Sequence, residues 1–202
     1  MQHKLATTQV QIDKLIASRW SPRAFAADQP ISNTDLIALL EAARWSPSCF
    51  NDQPWRFIVC NKHTHASAWE KAFSVIVEKN QLWAKNAPLL LLSVAMNNFS
   101  HNDKPNRWAS YDTGAASLSL CLQANALGLV SHQMGGFDAE QAKQVFNLPD
   151  NATPMAMIAV GYQADVNQLA NDFQSAEAAD RSRNALTKQF FAGAWDEELL
   201  LK

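Results

Sequence analysis

The chain has 202 residues, which gives a prior of about 1.3 domains, so one domain over residues 1–202 is expected. Hydrophobic residues make up 48%, which excludes a disordered chain, and charged residues only 18%, so a partner or cofactor is expected to cover part of the surface. The net charge of −2 removes any general attraction to nucleic acid or anionic membrane.

Residues 1–8 lack the apolar core of a signal peptide, and the longest apolar stretch, 87–96, falls short of the roughly 20 residues that span a bilayer. Cys49, Cys60 and Cys121 are odd in number and widely separated, which argues against a disulfide framework or zinc knuckle and for a cytoplasmic protein. The spacing predicts a helix over 10–17, ended by Trp20-Ser21-Pro22. A second helix opens at Ser32 as N-cap with Asp35 three residues on, and buries Leu36, Leu39, Leu40 and Ala43.

An irregular stretch over 45–54 leads into a strand at 55–60. A helix is expected over 66–77, with a further turn at 80–85. The apolar run 88–95 reads as a buried strand. After a polar loop at 97–107 comes a helix over 111–127, apolar on most of its circumference and therefore central to the core or to a subunit interface. Further strands are expected at 129–133 and 155–160, with a helix between them over 138–146. Beyond Tyr162 the chain is polar until Leu186, and Phe190, Phe191 and Trp195 predict a docked C-terminal segment. Strands and helices in this order make an α/β or α+β domain whose strand order stays open.

Four segments are candidates for chemistry. In Ser18-Arg19-Trp20-Ser21-Pro22-Arg23, the arginine forks and a serine suit a phosphate monoester, although two cations at a helix end also complement its dipole. Around Pro47, Ser48, Cys49 and Asn51, small and polar residues between aromatics suit close approach to a planar ligand, or simply a turn. In Met134-Gly135-Gly136, the glycines would let backbone N–H groups face a ligand, or merely turn the chain. Arg181-Ser182-Arg183 would complete a phosphate pocket if folded back on Arg19, and is otherwise a solvated loop. The five histidines do not cluster as metal ligands, and Cys49, the candidate nucleophile, has no histidine nearby in sequence.

In this order the segments resemble the nitroreductase family of FMN-dependent, NAD(P)H-using oxidoreductases. The resemblance rests on residues 18–25, 43–57, 80–84, 111–116, 126–129, 134–138 and 181–183. It implies an α+β nitroreductase-like fold with a central mixed sheet flanked by helices, in an interlocked homodimer holding two FMN. Arg19, Arg181 and Arg183 would bind the FMN phosphate with Ser21 nearby, and Arg23 and Asn80 would meet the pyrimidine edge. Met134, Gly135 and Gly136 would lie by the reactive nitrogen, and Pro47, Ser48, Cys49 and Asn51 would come from the second subunit.

Trp20 and Trp83 stand where the family often carries basic residues, and are expected as aromatic walls for the ring. The short interval before Arg181 implies a compact subfamily. The implied activity passes electrons from NADH or NADPH to a nitroaromatic, a quinone or a similar small-molecule acceptor by ping-pong turnover, with no side-chain nucleophile. Flavin fragmentation, reductive dehalogenation or a non-catalytic flavin-binding dimer are the alternatives.

Overall fold

A computed structural model describes residues 4–200 of the chain. Helix α1 (Lys14–Ser18) is much shorter than the helix expected over 10–17. Asp13 caps it by accepting from the Leu15 amide, which starts the helix there and leaves Val10 and Ile12 outside it. Helix α2 (Asn33–Arg44) starts on Ser32, whose hydroxyl accepts from the Asp35 amide, and buries Leu39 and Ala43 as the spacing predicts.

Strand β1 (Trp55–Asn61) is followed by α3 (Ala66–Ser74) and α4 (Glu78–Ala84). Together these two helices replace the expected helix over 66–77 and the turn after it. Strand β2 (Leu89–Met96) precedes the long α5 (Ala109–Ala126). Strand β3 (Val130–Met134), α6 (Ala139–Val145) and β4 (Ala152–Gly161) follow. Helix α7 (Asn171–Ala178) lies in the polar stretch that the sequence reading left without structure.

The strands form one sheet in the order β1-β2-β4-β3. All three pairings are antiparallel, which corrects the expected mixed sheet for this chain. The reason is visible between β1 and β2. Through α3 and α4 the chain goes out and returns to the same end of the sheet, so Asn61 pairs with Leu89. Strand β4 begins earlier than predicted because the register shift at Ser93/Val94 accommodates Pro154, a residue that central strands otherwise exclude.

Side-chain alternation divides the core between the two faces of the sheet. Leu90, Leu92, Met157 and Ala159 pack toward α3, α4, α6 and α7, where Trp69, Trp83, Ala142 and Phe173 meet them. Leu89, Leu91, Ile158 and Val160 face α2 and α5, against Leu39, Ala116 and Leu120. A sheet covered on both faces accounts for the unbroken apolar run of β2.

The last residue of β4 shows how tightly this core closes. A Cβ on Gly161 would lie 2.6 Å from Pro88 Cδ and 3.1 Å from Phe25 Cδ1. Gly161→Ala is therefore expected to cost about 1–3 kcal/mol by overpacking, measured by chemical denaturation. Full stability in that variant would contradict the packing. The C-terminal aromatics do not dock on this chain: Phe190 and Trp195 are exposed, and Trp195 rests on Phe191 with ring centroids 5.1 Å apart.

Candidate active site

The segment following α1 runs along edge strand β3 and then pairs with the chain leaving β4. Ala26 donates to the Tyr162 carbonyl at 2.9 Å, and the Ala164 amide donates to Ala24 at 3.0 Å. Two groups, one half-buried and one buried, hold the turn before these points. Nδ1 of His132, on β3, lies 3.0 Å from the Pro22 carbonyl oxygen. A carbonyl only accepts, so Nδ1 carries a proton and donates it. On the other side, the Glu177 carboxylate of α7 accepts from the Arg23 amide at 2.9 Å and lies 3.7 Å from the Arg23 guanidinium.

Burial pushes the His132 imidazole down from 6.5 to about 4, helped by the charges of Arg23 and Arg19. The unfolded chain then takes up this proton below about 6.5, while the folded chain takes it up only near 4. The stabilisation is complete above the unfolded value and is lost as pH falls through that interval, amounting to about 3 kcal/mol. Denaturation free energies between pH 7 and 4 are expected to show this slope, and His132→Gln is expected to flatten it. An unchanged slope in the variant would count against the assignment.

Arg19, Arg181 and Arg183 lie near one another. Burial together with the charges of Arg19 and Arg183 holds the Arg181 guanidinium below its usual value. Arg181 Nη1 donates to the Lys4 and Ala17 carbonyls, each at 2.6 Å, which ties it to the N-terminal segment and α1. Arg19 Nη1 lies 3.4 Å from Ser21 Oγ. Among the described residues, no ion pair joins any of these three arginines to a carboxylate. Beside them is a cavity of about 410 Å³ lined by Ser18, Arg19, Trp20, Cys121, Ser131 and Gln163. Gln163 Oε1 is buried there without a hydrogen-bond partner.

Met134 ends β3 with its side chain in the core, and the following turn packs on the start of α4. Asn80 Nδ2 donates to the Gly136 carbonyl at 3.3 Å. A Cβ on Gly136 would come within 2.6 Å of that same nitrogen, so a larger residue there would displace the Asn80 side chain. Space beside Gly135 is open. Trp20 lines the cavity and carries Lys4 Nζ 4.8 Å from its ring centroid. Trp83 does not: it is buried between Phe25 and His132, at centroid distances of 6.1 and 4.6 Å, which corrects its expected place as a ligand wall.

The loop holding Pro47, Ser48, Cys49 and Asn51 is built with care. Phe50, Asn51 and Gln53 all adopt left-handed φ, at 55°, 54° and 50°. Ser48 Oγ accepts from the Gln53 amide, and buried Asp112 of α5 accepts from the Cys49 amide at 3.0 Å. Asp52 accepts from the Ser100 amide and hydroxyl and from Asn106, which pins the 97–107 loop and holds its carboxyl below the usual range against the cost of burial.

This loop and the arginine cluster do not meet within one chain. Cys49 sits at Asp112, whereas Arg19 sits beside Cys121, nine residues and about 14 Å further along α5. Sequence reasoning missed Glu177, Asp52 and Asp112. Only Asp112 left a signal, as a lone charge in an apolar helix.

Comparison with known proteins places this arrangement. The chain is 34% identical to a solved oxidoreductase containing FMN, with a TM-score of 0.89 over 95% of this chain and 96% of that one. It is 28% identical over 179 residues to an NADH dehydrogenase of Thermus thermophilus, covering 73% of this chain and 84% of the relative. It is 30% identical over 149 residues to an uncharacterised 15.4 kDa protein of Mycolicibacterium smegmatis, covering 71% of this chain and 99% of the relative. The model of the nitroreductase family matches residues 16–162, from α1 to just beyond β4. The chain belongs to the nitroreductase family.

Proposed function

We propose that the protein is an FMN-dependent oxidoreductase passing electrons from NADH or NADPH to a small-molecule acceptor such as a nitroaromatic or a quinone. One observation carries the reading: among the described residues, Arg19, Arg181 and Arg183 gather without a carboxylate partner, an arrangement whose mutual repulsion an anion relieves. A phosphate monoester fits, since it carries about −1.5 to −2 charges at neutral pH. The neighbouring cavity lies within the roughly 300–1,000 Å³ usual for ligand sites. FMN, when bound, supplies the two-electron chemistry, so no side chain has to act as a nucleophile.

The chain's own residues then bind and orient. Arg19, Arg181 and Arg183 hold the phosphate, with Ser21 beside it. Arg23 and Asn80 meet the pyrimidine edge, and with one Nδ2 hydrogen on the Gly136 carbonyl, Asn80 keeps a second N–H to donate and its Oδ1 to accept. Gly135 and Gly136, following Met134, present backbone N–H groups, and Trp20 walls the cavity. Pro47, Ser48, Cys49 and Asn51 serve the site of a second copy. Their distance from the arginines in one chain supports a homodimer, as do exposed Trp45, Phe50, Tyr111 and Leu118 around α5.

No helix among the described residues is long and apolar enough to cross a membrane. Three free cysteines suit the reducing cytoplasm, where the chain would work as one domain. The purified protein is expected to be yellow, to release FMN on extraction and to bleach anaerobically with NADH or NADPH. Colourless protein without extractable FMN ends the flavin reading. Loaded flavin that neither coenzyme bleaches ends the reductase reading. Sedimentation is expected to give a dimer, and a fully flavin-loaded monomer would contradict the shared site.

A further inference from the structure

Among the described residues, Glu177 is the one carboxylate that pairs with an arginine of the candidate site, Arg23, and it does so from the core. It is 1% exposed, on a helix whose other fully placed anchor is Phe173. Oε1 accepts from the Arg23 amide at 2.9 Å and from the Ala24 amide at 3.3 Å, and Oε2 lies 3.1 Å from the Arg23 amide. The Arg23 guanidinium adds an ion pair at 3.7 Å. A buried carboxylate is costly unless its lone pairs and charge are matched, and here two backbone donors and one cation match them.

The consequence is an uneven distribution of charge. Arg19, Arg181 and Arg183 have no carboxylate partner among the described residues, whereas Arg23 does. Positive charge near a flavin ring favours its reduced form, and a neutralised arginine favours it less.

We infer that Glu177 is a positioning residue for the flavin site: it fixes the backbone of residues 23 and 24, aims Arg23, and offsets that arginine's charge so that the bound flavin is held at a lower reduction potential. The inference rests on the FMN reading above, and its two parts separate in Glu177→Gln, which keeps an oxygen for the amides but removes the charge.

The test compares the midpoint potential of FMN in the holoenzyme and its variants. Glu177→Gln is expected to retain FMN and to shift the potential positive, and Arg23→Gln to shift it negative. The double variant is expected to return close to the starting value, as the removal of a mutually compensating pair requires. A merely structural role for Glu177 would leave the potential unmoved in Glu177→Gln, and that result overturns the inference.

Amide hydrogen exchange gives a readout independent of flavin. In Glu177→Ala, exchange at Arg23 and Ala24 is expected to accelerate on the order of tenfold or more, with β4 amides unchanged. Glu177→Gln is expected to recover most of that protection. Unaltered exchange in Glu177→Ala refutes the clamp. Protein that holds no FMN in any form removes the functional reading and the tuning role together, and is distinguished from flavin-loaded protein whose potential does not move.

Discussion

Replacing Arg19 and Arg183 together by alanine is expected to weaken FMN binding by about 3–6 kcal/mol, because each charge-assisted hydrogen bond contributes roughly 1.5–3 kcal/mol. The dissociation constant should rise by about two to four orders of magnitude, read by titrating apoprotein with FMN and following flavin fluorescence. Arg181 is left in place because it has a second task, holding the Lys4 and Ala17 carbonyls, and its loss would mix binding with folding. The two replaced side chains have no such burden among the described residues: Arg183 reaches its neighbour's carbonyl at Ser182, and Arg19 reaches Ser21. The apoprotein of the double variant should therefore keep its melting temperature, since like-charge repulsion is relieved. Unchanged FMN affinity would remove the phosphate assignment, and a fall in apoprotein stability would show that the cluster is structural.

That cluster was legible only through the family resemblance, because taken alone Arg19 and Arg23 read as cations at a helix end and Arg181-Ser182-Arg183 as a solvated loop. Strand β1 was legible from its aromatic and β-branched run, β2 from its almost continuous apolar run, and α2 from its Ser32 cap. Helix α7 was not, because only Phe173 marks its buried face and the remainder of Asn171–Ala178 is small or polar. Glu177 was hidden with it, since a carboxylate in a polar stretch reads as solvated until the fold supplies the Arg23 and Ala24 amides. At the C-terminus, Phe190 and Trp195 signalled burial by composition, but composition does not say against which chain. The mixed sheet failed for a related reason. It came from the resemblance, since the periodicity left strand order open, and within this chain the pairing direction follows from where α3 and α4 return it.

Trp83→Ala is expected to destabilise the fold by about 3–5 kcal/mol, the usual cost of truncating a buried tryptophan. For a chain of this size, that lowers the melting temperature by roughly 6–20 °C. The indole is 1% exposed and lies nearly parallel to the Phe25 ring at 18°, so the cavity left behind would have Phe25 and His132 for walls. Loosening His132 would also release the Pro22 carbonyl, and through it the turn that carries Ser21 and Arg23. Weakened flavin retention in Trp83→Ala is thus expected to accompany unfolding rather than to precede it. Trp83→Phe separates the two effects. The indole Nε1 is buried without a partner, so phenylalanine forfeits ring volume but no hydrogen bond, and should retain both fold and flavin. If Trp83→Ala instead melted like the parent while its flavin spectrum changed, the tryptophan would be a wall of the ligand site, and its place in the core would have to be given up.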